Sequence, residues 1–312
     1  REMKMNRRVY GVVAIKSIMS NWNADMTGNP KSVLSGVLFG SDKAFKYPIK
    51  RMWQYQGEKV LYIKSYKIDE KEDKGKLQPK DLNERYEELF SKLDEKTPSK
   101  EVLKNLFLAI DVMNFGATFA VKKQNIGITG AVQVGQGYNK YKDTDLEVID
   151  ILSPFRNSNE KSEDAQASSM GKKIVTQEAH YVYPFSVNPQ NYNDYVQLGI
   201  DGFEGYTEEA FEKFKAGCLV AATAFNTNSK SGCENEFALF LYCKPDSSLY
   251  LANIDGYIDF SKEGGKSVID ATRLKEHLGD SFSEIEKIEV YFNKSEVDFV
   301  SGGLDCTVNS LY

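Results

Sequence analysis

The segment Val9–Ser17 (VYGVVAIKS) concentrates β-branched and apolar residues around a single glycine. A run of this kind reads as a buried strand, and a strand buried so early obliges the chain to build a sheet around it. The apolar part, Val9–Ile15, is too short for a membrane span and lacks the cleavage pattern of a signal peptide. The chain has 312 residues, 41% hydrophobic and 12% aromatic, enough for one large domain with insertions or two smaller ones.

Turn formers crowd Ile18–Ser35, and Ser41–Gln56 (SDKAFKYPIKRMWQYQ) then reads as a helix with Ser41 as N-cap, in which Pro48 must start or kink the helix. Val60–Ile68 alternates like a strand. Residues 69–80 are charged or turn-forming and read as a solvated loop. Asp81–Leu93 and Ser99–Phe107 carry helical periodicity. Val112–Val121 and Ile126–Val134 read as strands with bulges at their glycines. Two strand-like arms, Leu146–Leu152 and Ile174–Phe185, flank the polar stretch 153–173, the pattern of a long hairpin that projects from the body. Glu208–Ala224 is an amphipathic helix, Phe237–Cys243 and Ser248–Ile254 read as a strand pair about a Pro-Asp turn, and Ala271–Leu278 and Ile288–Phe292 supply a last helix and strand. No repeat of 20–50 residues occurs, which excludes a solenoid. The order fits an α+β chain of split βαβ type, an antiparallel sheet backed by helices.

The net charge of −5 argues against a polyanion ligand until its distribution is examined. Residues 1–67 hold 13 Lys and Arg against 4 Asp and Glu, a net of +9, whereas residues 201–312 hold 10 against 20, a net of −10. This polarity leads to the expectation of a basic functional face and a remote acidic face, which also suits head-to-tail self-association. The alternative is that both halves interleave in the fold.

Catalytic signatures are missing: there is no GxxxxGK[ST], no GxGxxG and no GxSxG. Cys218, Cys233, Cys243 and Cys306 form no CxxC pair, and His180 and His277 stand at no ligand spacing, so neither a metal nor a cofactor is expected. The thiols read as reduced, in a cytoplasmic protein. A divalent-metal nuclease built on Asp25, Asp42 and Asp111 is an alternative without a motif behind it. Lys43, Lys46 and Lys50 recur at helical spacings of three and four with Arg51 beside them, a stripe that can follow a phosphate backbone. Phe45, Tyr47, Trp53 and Tyr55 between them read either as base-stacking groups or as the helix's core face, with Phe45 and Trp53 assigned to the core.

Taken in order, Val9–Pro30, Ser41–Trp53, Asp111–Ala117 (DVMNFGA), Thr129–Gly137 (TGAVQVGQG) and Asn226–Gly232 (NTNSKSG) resemble the CRISPR-associated Cas-seven family, the backbone subunit of type I Cascade complexes, most closely its type I-B branch. The resemblance runs from about residue 8 to 295. It implies one RRM-like (ferredoxin-like) palm over residues 1–312, with a helical finger insertion at 69–107 and a thumb hairpin at 146–180. It further implies copies stacked along a guide RNA (crRNA), whose thumbs leave bases free to pair with target DNA, together with other Cascade subunits and no membrane. Guide-directed recognition of this kind reads backbone and shape through protein and sequence through base pairing. On this basis the expected RNA contacts are Lys16, Ser17, Asn21, Asn23, Lys43, Lys46, Lys50, Arg51, Arg156 and Lys172, with no catalytic residue. Met113-Asn114 departs from the arginine-containing DVR sequence of many relatives, so Asp111–Gly116 reads as structural. Two other readings stand beside this one: a metal-dependent ribonuclease of type III style, and a self-assembling structural protein without nucleic acid.

Overall fold

A computed structural model describes residues 3–69, 75–152, 154 and 170–312. Strand β1 (Val9–Ser20) lies near the middle of a nine-stranded sheet. Its odd residues Val9, Val13 and Ile15 enter one hydrophobic core and its even residues Tyr10, Val12 and Ala14 enter a second. Cover on both faces is why the segment is apolar throughout rather than alternating.

Helix α1 (Asp42–Tyr55) follows β1. Much later the chain forms β2 (Leu146–Leu152) and β3 (Met170–Val187), then α2 (Glu208–Ala224), β4 (Cys233–Cys243) and β5 (Ile285–Phe292). Strand β1 pairs antiparallel with both β3 and β4, and β4 pairs antiparallel with β5. The far edge of β3 is shared by Val132–Val134, Gly137–Asn139 and β2. Since β3 and β4 flank β1 and both oppose it, they run parallel to each other, joined by α2. The helices α1 and α2 cover the first face: Phe45, Ile49 and Trp53 meet Phe211, Phe214 and Cys218 in that core. A Cβ on Gly217 of α2 would lie 2.8 Å from Ile49, so the two helices approach as closely as they do only because that position is glycine.

The Ser41 cap forms as the sequence indicates, its hydroxyl accepting the Ala44 N–H at 3.2 Å. Pro48 neither starts nor ends α1 but sits inside it, buried. Ser99–Phe107 and Glu208–Ala224 are helical as read, and Leu82–Leu89 opens on a capping box between Asp81 and Glu84.

Other segments differ from their expectation. Val60–Ile63 is buried but is not a strand, because side chains take its backbone groups: Asp111 accepts the Leu61 and Tyr62 N–H groups, and Arg85 donates to Val60 O. Only Tyr66–Asp69 pairs, with Lys76–Pro79, so part of the charged stretch 69–80 is a small exposed hairpin rather than a loop. Ile110–Phe115 is a short helix, ended by Gly116 at φ 77°, before Gly116–Phe119 pairs with Ile126–Thr129. Ser248–Ile254 forms no strand, since β1 and β5 already occupy both edges of β4. Among the described residues no helix is long and apolar enough to cross a membrane.

Sequence separation of charge does not carry over into space. Arg7 bonds Glu286 and Lys16 bonds both Glu234 and Glu296, because β1 pairs on one side with β4, a strand from the acidic region. Arg7 and Lys16 are thus paired with C-terminal carboxylates within one chain.

Candidate nucleic-acid interface

Helix α1 forms one wall of a groove of about 640 Å³. Lys43, Lys46, Tyr47 and Lys50 stand on the α1 side, and Tyr62, Phe115, Gly116–Thr118 and Ile128 face them. The spacing of three and four thus brings the three lysines to one opening, as the sequence indicates. The opposite wall carries no such signal, because it is assembled from Tyr62 in a non-strand segment, the helix end and strand start at 115–118, and Ile128 of the neighbouring strand, three places well apart in sequence.

The groove is anchored at both ends. At the N-terminus of α1, Asn23 Oδ1 accepts the Ser41 N–H at 2.9 Å, while Tyr183 donates to Ser41 O at 3.2 Å and receives the Trp22 indole N–H at 2.6 Å. Asn23 therefore fixes where α1 starts. Deeper in, Lys50 lies 3.3 Å from the buried Asp111 carboxylate and donates to Tyr62 O at 3.2 Å. Burial, with the Asp111 charge nearby, pushes the Tyr62 phenol above its ordinary value, and its hydroxyl donates to Thr118 O at 2.6 Å.

Electrostatics divide the α1 cations. Lys46 pairs with Asp42 at 2.9 Å, and although burial opposes ionisation, this contact holds the Asp42 carboxyl below its usual range. Lys50 has Asp111. Lys43 and Arg51 have no carboxylate partner among the described residues. Arg51 points away from the groove, donating to Gln54 at 2.7 Å and to the Tyr55 hydroxyl at 2.8 Å. Phe45 and Trp53 belong to the core as read, at 3% and 0% exposure, while Tyr47 and Tyr55 are exposed.

The remaining expected contacts scatter. Lys16 follows Val12 and Ala14 onto the sheet face opposite α1, in a polar hollow with Glu178, His180, Glu236 and Lys262. Burial works against its charge, but Glu296 and Glu234 raise its pKa on balance. Ser17 is fully buried, with its hydroxyl bonded to Ser20 and Thr176, so it presents nothing to an outside ligand. Asn21 is buried too, donating to Gly28 O and Ile174 O at the root of the β2–β3 hairpin. Both side chains are bonded within the chain, at the end of β1 and the root of the hairpin. Lys172 is exposed on β3 opposite Asp150 of β2, and Arg156 lies outside the described residues.

The three aspartates of the nuclease alternative are held separately. Asp25 accepts from Thr27 and Asn29 in its own turn, Asp42 pairs with Lys46 and Asp111 with Lys50. Among the described residues no three His, Cys, Asp or Glu side chains gather as a metal site.

No curated protein matches the chain. Among solved structures, a chain of a "CRISPR RNA-guided surveillance complex, pre-nicking" superposes with a TM-score of 0.57 at 14% identity, over 97% of this chain and 96% of that one. A chain of a "CRISPR RNA-guided surveillance complex" gives 0.49 at 14% identity, over 96% and 94%. At 14% identity the first of these likenesses is one of fold. A family model described as CRISPR-associated protein Cas7 matches residues 7–282, most of the chain. This protein belongs to the CRISPR-associated protein Cas7 family.

Proposed function

We propose that this protein is a non-catalytic, guide-RNA-binding backbone subunit of a type I CRISPR surveillance complex, of the I-B branch by the order of its sequence segments. The observation that carries the reading is the row Lys43, Lys46 and Lys50 along one wall of an open groove, in a chain of this family. Such a row follows phosphates without reading bases, which is what a subunit must do if one protein serves many guides. The order β4-β1-β3, with β3 and β4 joined through α2, supports an RRM-like palm. Helices Leu82–Leu89 and Ser99–Phe107 make the finger region within 69–107, and the β2–β3 hairpin makes the thumb within 146–180, with Lys172 on its arm. Copies stack head to tail along the crRNA beside other subunits, and the exposed guide bases pair with target DNA. A heterologous contact of this kind makes an open helical array.

The test is binding of labelled single-stranded RNA across a salt series. Wild type binds without sequence preference, and its affinity falls steeply with salt. Lys43→Ala with Lys46→Ala and Lys50→Ala weakens binding and reduces the salt slope, by about one for each phosphate left without its lysine. An unchanged slope in that variant sinks the site assignment. With magnesium and complementary RNA added, the RNA stays uncut; regular cleavage would favour the ribonuclease reading.

A further inference from the structure

Helix α1 presents a second chemistry on its outer side. Lys43, Tyr47, Arg51 and Tyr55 recur every four residues and so form one stripe, about 18 Å long. It begins at the groove, which Lys43 and Tyr47 both line, and leaves it, since Arg51 and Tyr55 line no part of the groove. Tyr47 is 39% and Tyr55 75% exposed. The Arg51 guanidinium lies 4.9 Å from the Tyr55 ring centre, and Tyr47 is braced edge-on by Phe225 at 5.5 Å. The cations of the stripe are the two on α1 with no carboxylate partner among the described residues, whereas Lys46 and Lys50 carry Asp42 and Asp111.

We propose that this stripe is a stacking track for unpaired bases of single-stranded nucleic acid, continuing the phosphate groove along the outside of α1. Alternation of a cation free of carboxylates with an exposed, braced aromatic ring is what a base and its phosphate require together: the ring takes the base face and the cation the backbone. An arginine held against a tyrosine extends the flat surface, because a guanidinium plane stacks on π-systems. About 18 Å of helix compares with about 3.4 Å per stacked nucleotide, so several bases fit. A duplex does not fit, since its base faces are covered. The shared ligand chemistry is the unpaired base, whether it belongs to RNA or to displaced DNA.

This track rests on the reading of the protein as a nucleic-acid binder, and the experiment separates the two. Full-length protein is titrated by fluorescence anisotropy with a labelled oligo(A) RNA, the matching DNA, an abasic oligomer of equal length, and a duplex. Tyr55→Ala and Tyr47→Ala each weaken binding of the base-containing single strands by about tenfold, and with Tyr55→Ala, whose side chain lines no part of the groove, the abasic oligomer and the duplex bind as they do to wild type. Tyr55→Phe keeps the ring and keeps the affinity. Equal losses on RNA and DNA assign the track to either strand; a loss on RNA alone narrows it to guide. Wild-type affinity of both alanine variants for oligo(A) overturns the track, as does an equal loss on the abasic oligomer. In either case a retained effect of Lys46→Ala with Lys50→Ala leaves the phosphate groove standing. Failure of wild type to bind any of the four overturns both. Thermal unfolding of each variant, unchanged at these exposed positions, excludes loss of fold as the cause.

Discussion

Asp111 is a fully withdrawn carboxylate whose Oδ2 lies 3.3 Å from the Lys50 ammonium and also accepts the Tyr62 N–H at 2.8 Å. Its other oxygen accepts the Leu61 N–H at 2.8 Å. One buried acid thus ties the segment under the groove to the helix beside it. It also explains why Val60–Ile63, apolar enough for a strand, is held as a loop.

Removing that acid leaves the Leu61 and Tyr62 N–H groups without their acceptor and the Lys50 ammonium without its carboxylate. Asp111→Ala is expected to destabilise the protein by about 3 kcal/mol, measured as a lowered urea midpoint at constant slope. Asp111→Asn, which keeps an acceptor, costs less. A midpoint equal to wild type for Asp111→Ala contradicts the anchoring role.

The start of α1 is set by two caps in series, Asn23 on Ser41 and Ser41 on Ala44. Ser41→Ala is expected to cost about 1 kcal/mol and Ser41→Asp close to nothing. If Asn23 acts by positioning the helix, Asn23→Ala lowers stability and weakens RNA binding together; weakened RNA binding at wild-type stability would show direct contact instead.

Helix contact at Gly217 is a matter of space. Gly217→Val, which drives a branched side chain into Ile49, should cost about 2 kcal/mol. Pairing it with Ile49→Ala should recover part of that loss, with a coupling of about 1 kcal/mol in a double-mutant cycle. Strict additivity would mean that the two helices part freely.

Glu289 on β5 gives the protein an acid limb. Burial alone would raise its pKa, but hydrogen bonds from Lys215 at 2.6 Å, Lys287 at 2.7 Å and the Tyr242 hydroxyl at 3.0 Å bring it down to about 2. Because the folded-state value lies below that of the unfolded chain, its contribution is complete above the unfolded range, about 4.3. It is lost as pH falls towards 2. Glu289→Gln should flatten the loss of stability between pH 5 and pH 3, followed by denaturant titration at each pH. An unaltered acid limb in the variant rules the cluster out as its source.

Local rules determined a good part of this molecule in the sequence itself. Val9–Ser17 had to be a covered strand, Ser41 had to cap a helix, and Glu208–Ala224 had to be amphipathic, since propensity, capping and periodicity act within a few residues of one another. The lysine row at 43, 46 and 50 was legible for the same reason. Tertiary structure alone decided the rest. Whether Lys43 and Lys50 are equally available to a ligand depends on Asp111, some sixty residues away in sequence, and whether Lys16 shares their surface depends on which face of β1 it follows. The inward burial of Ser17 and Asn21, the loop at Val60–Ile63 and the partial cancellation of the basic N-terminal third by C-terminal glutamates were decided there too. Charge and hydrogen bonding act through space, and the distances that govern them are not written in sequence order.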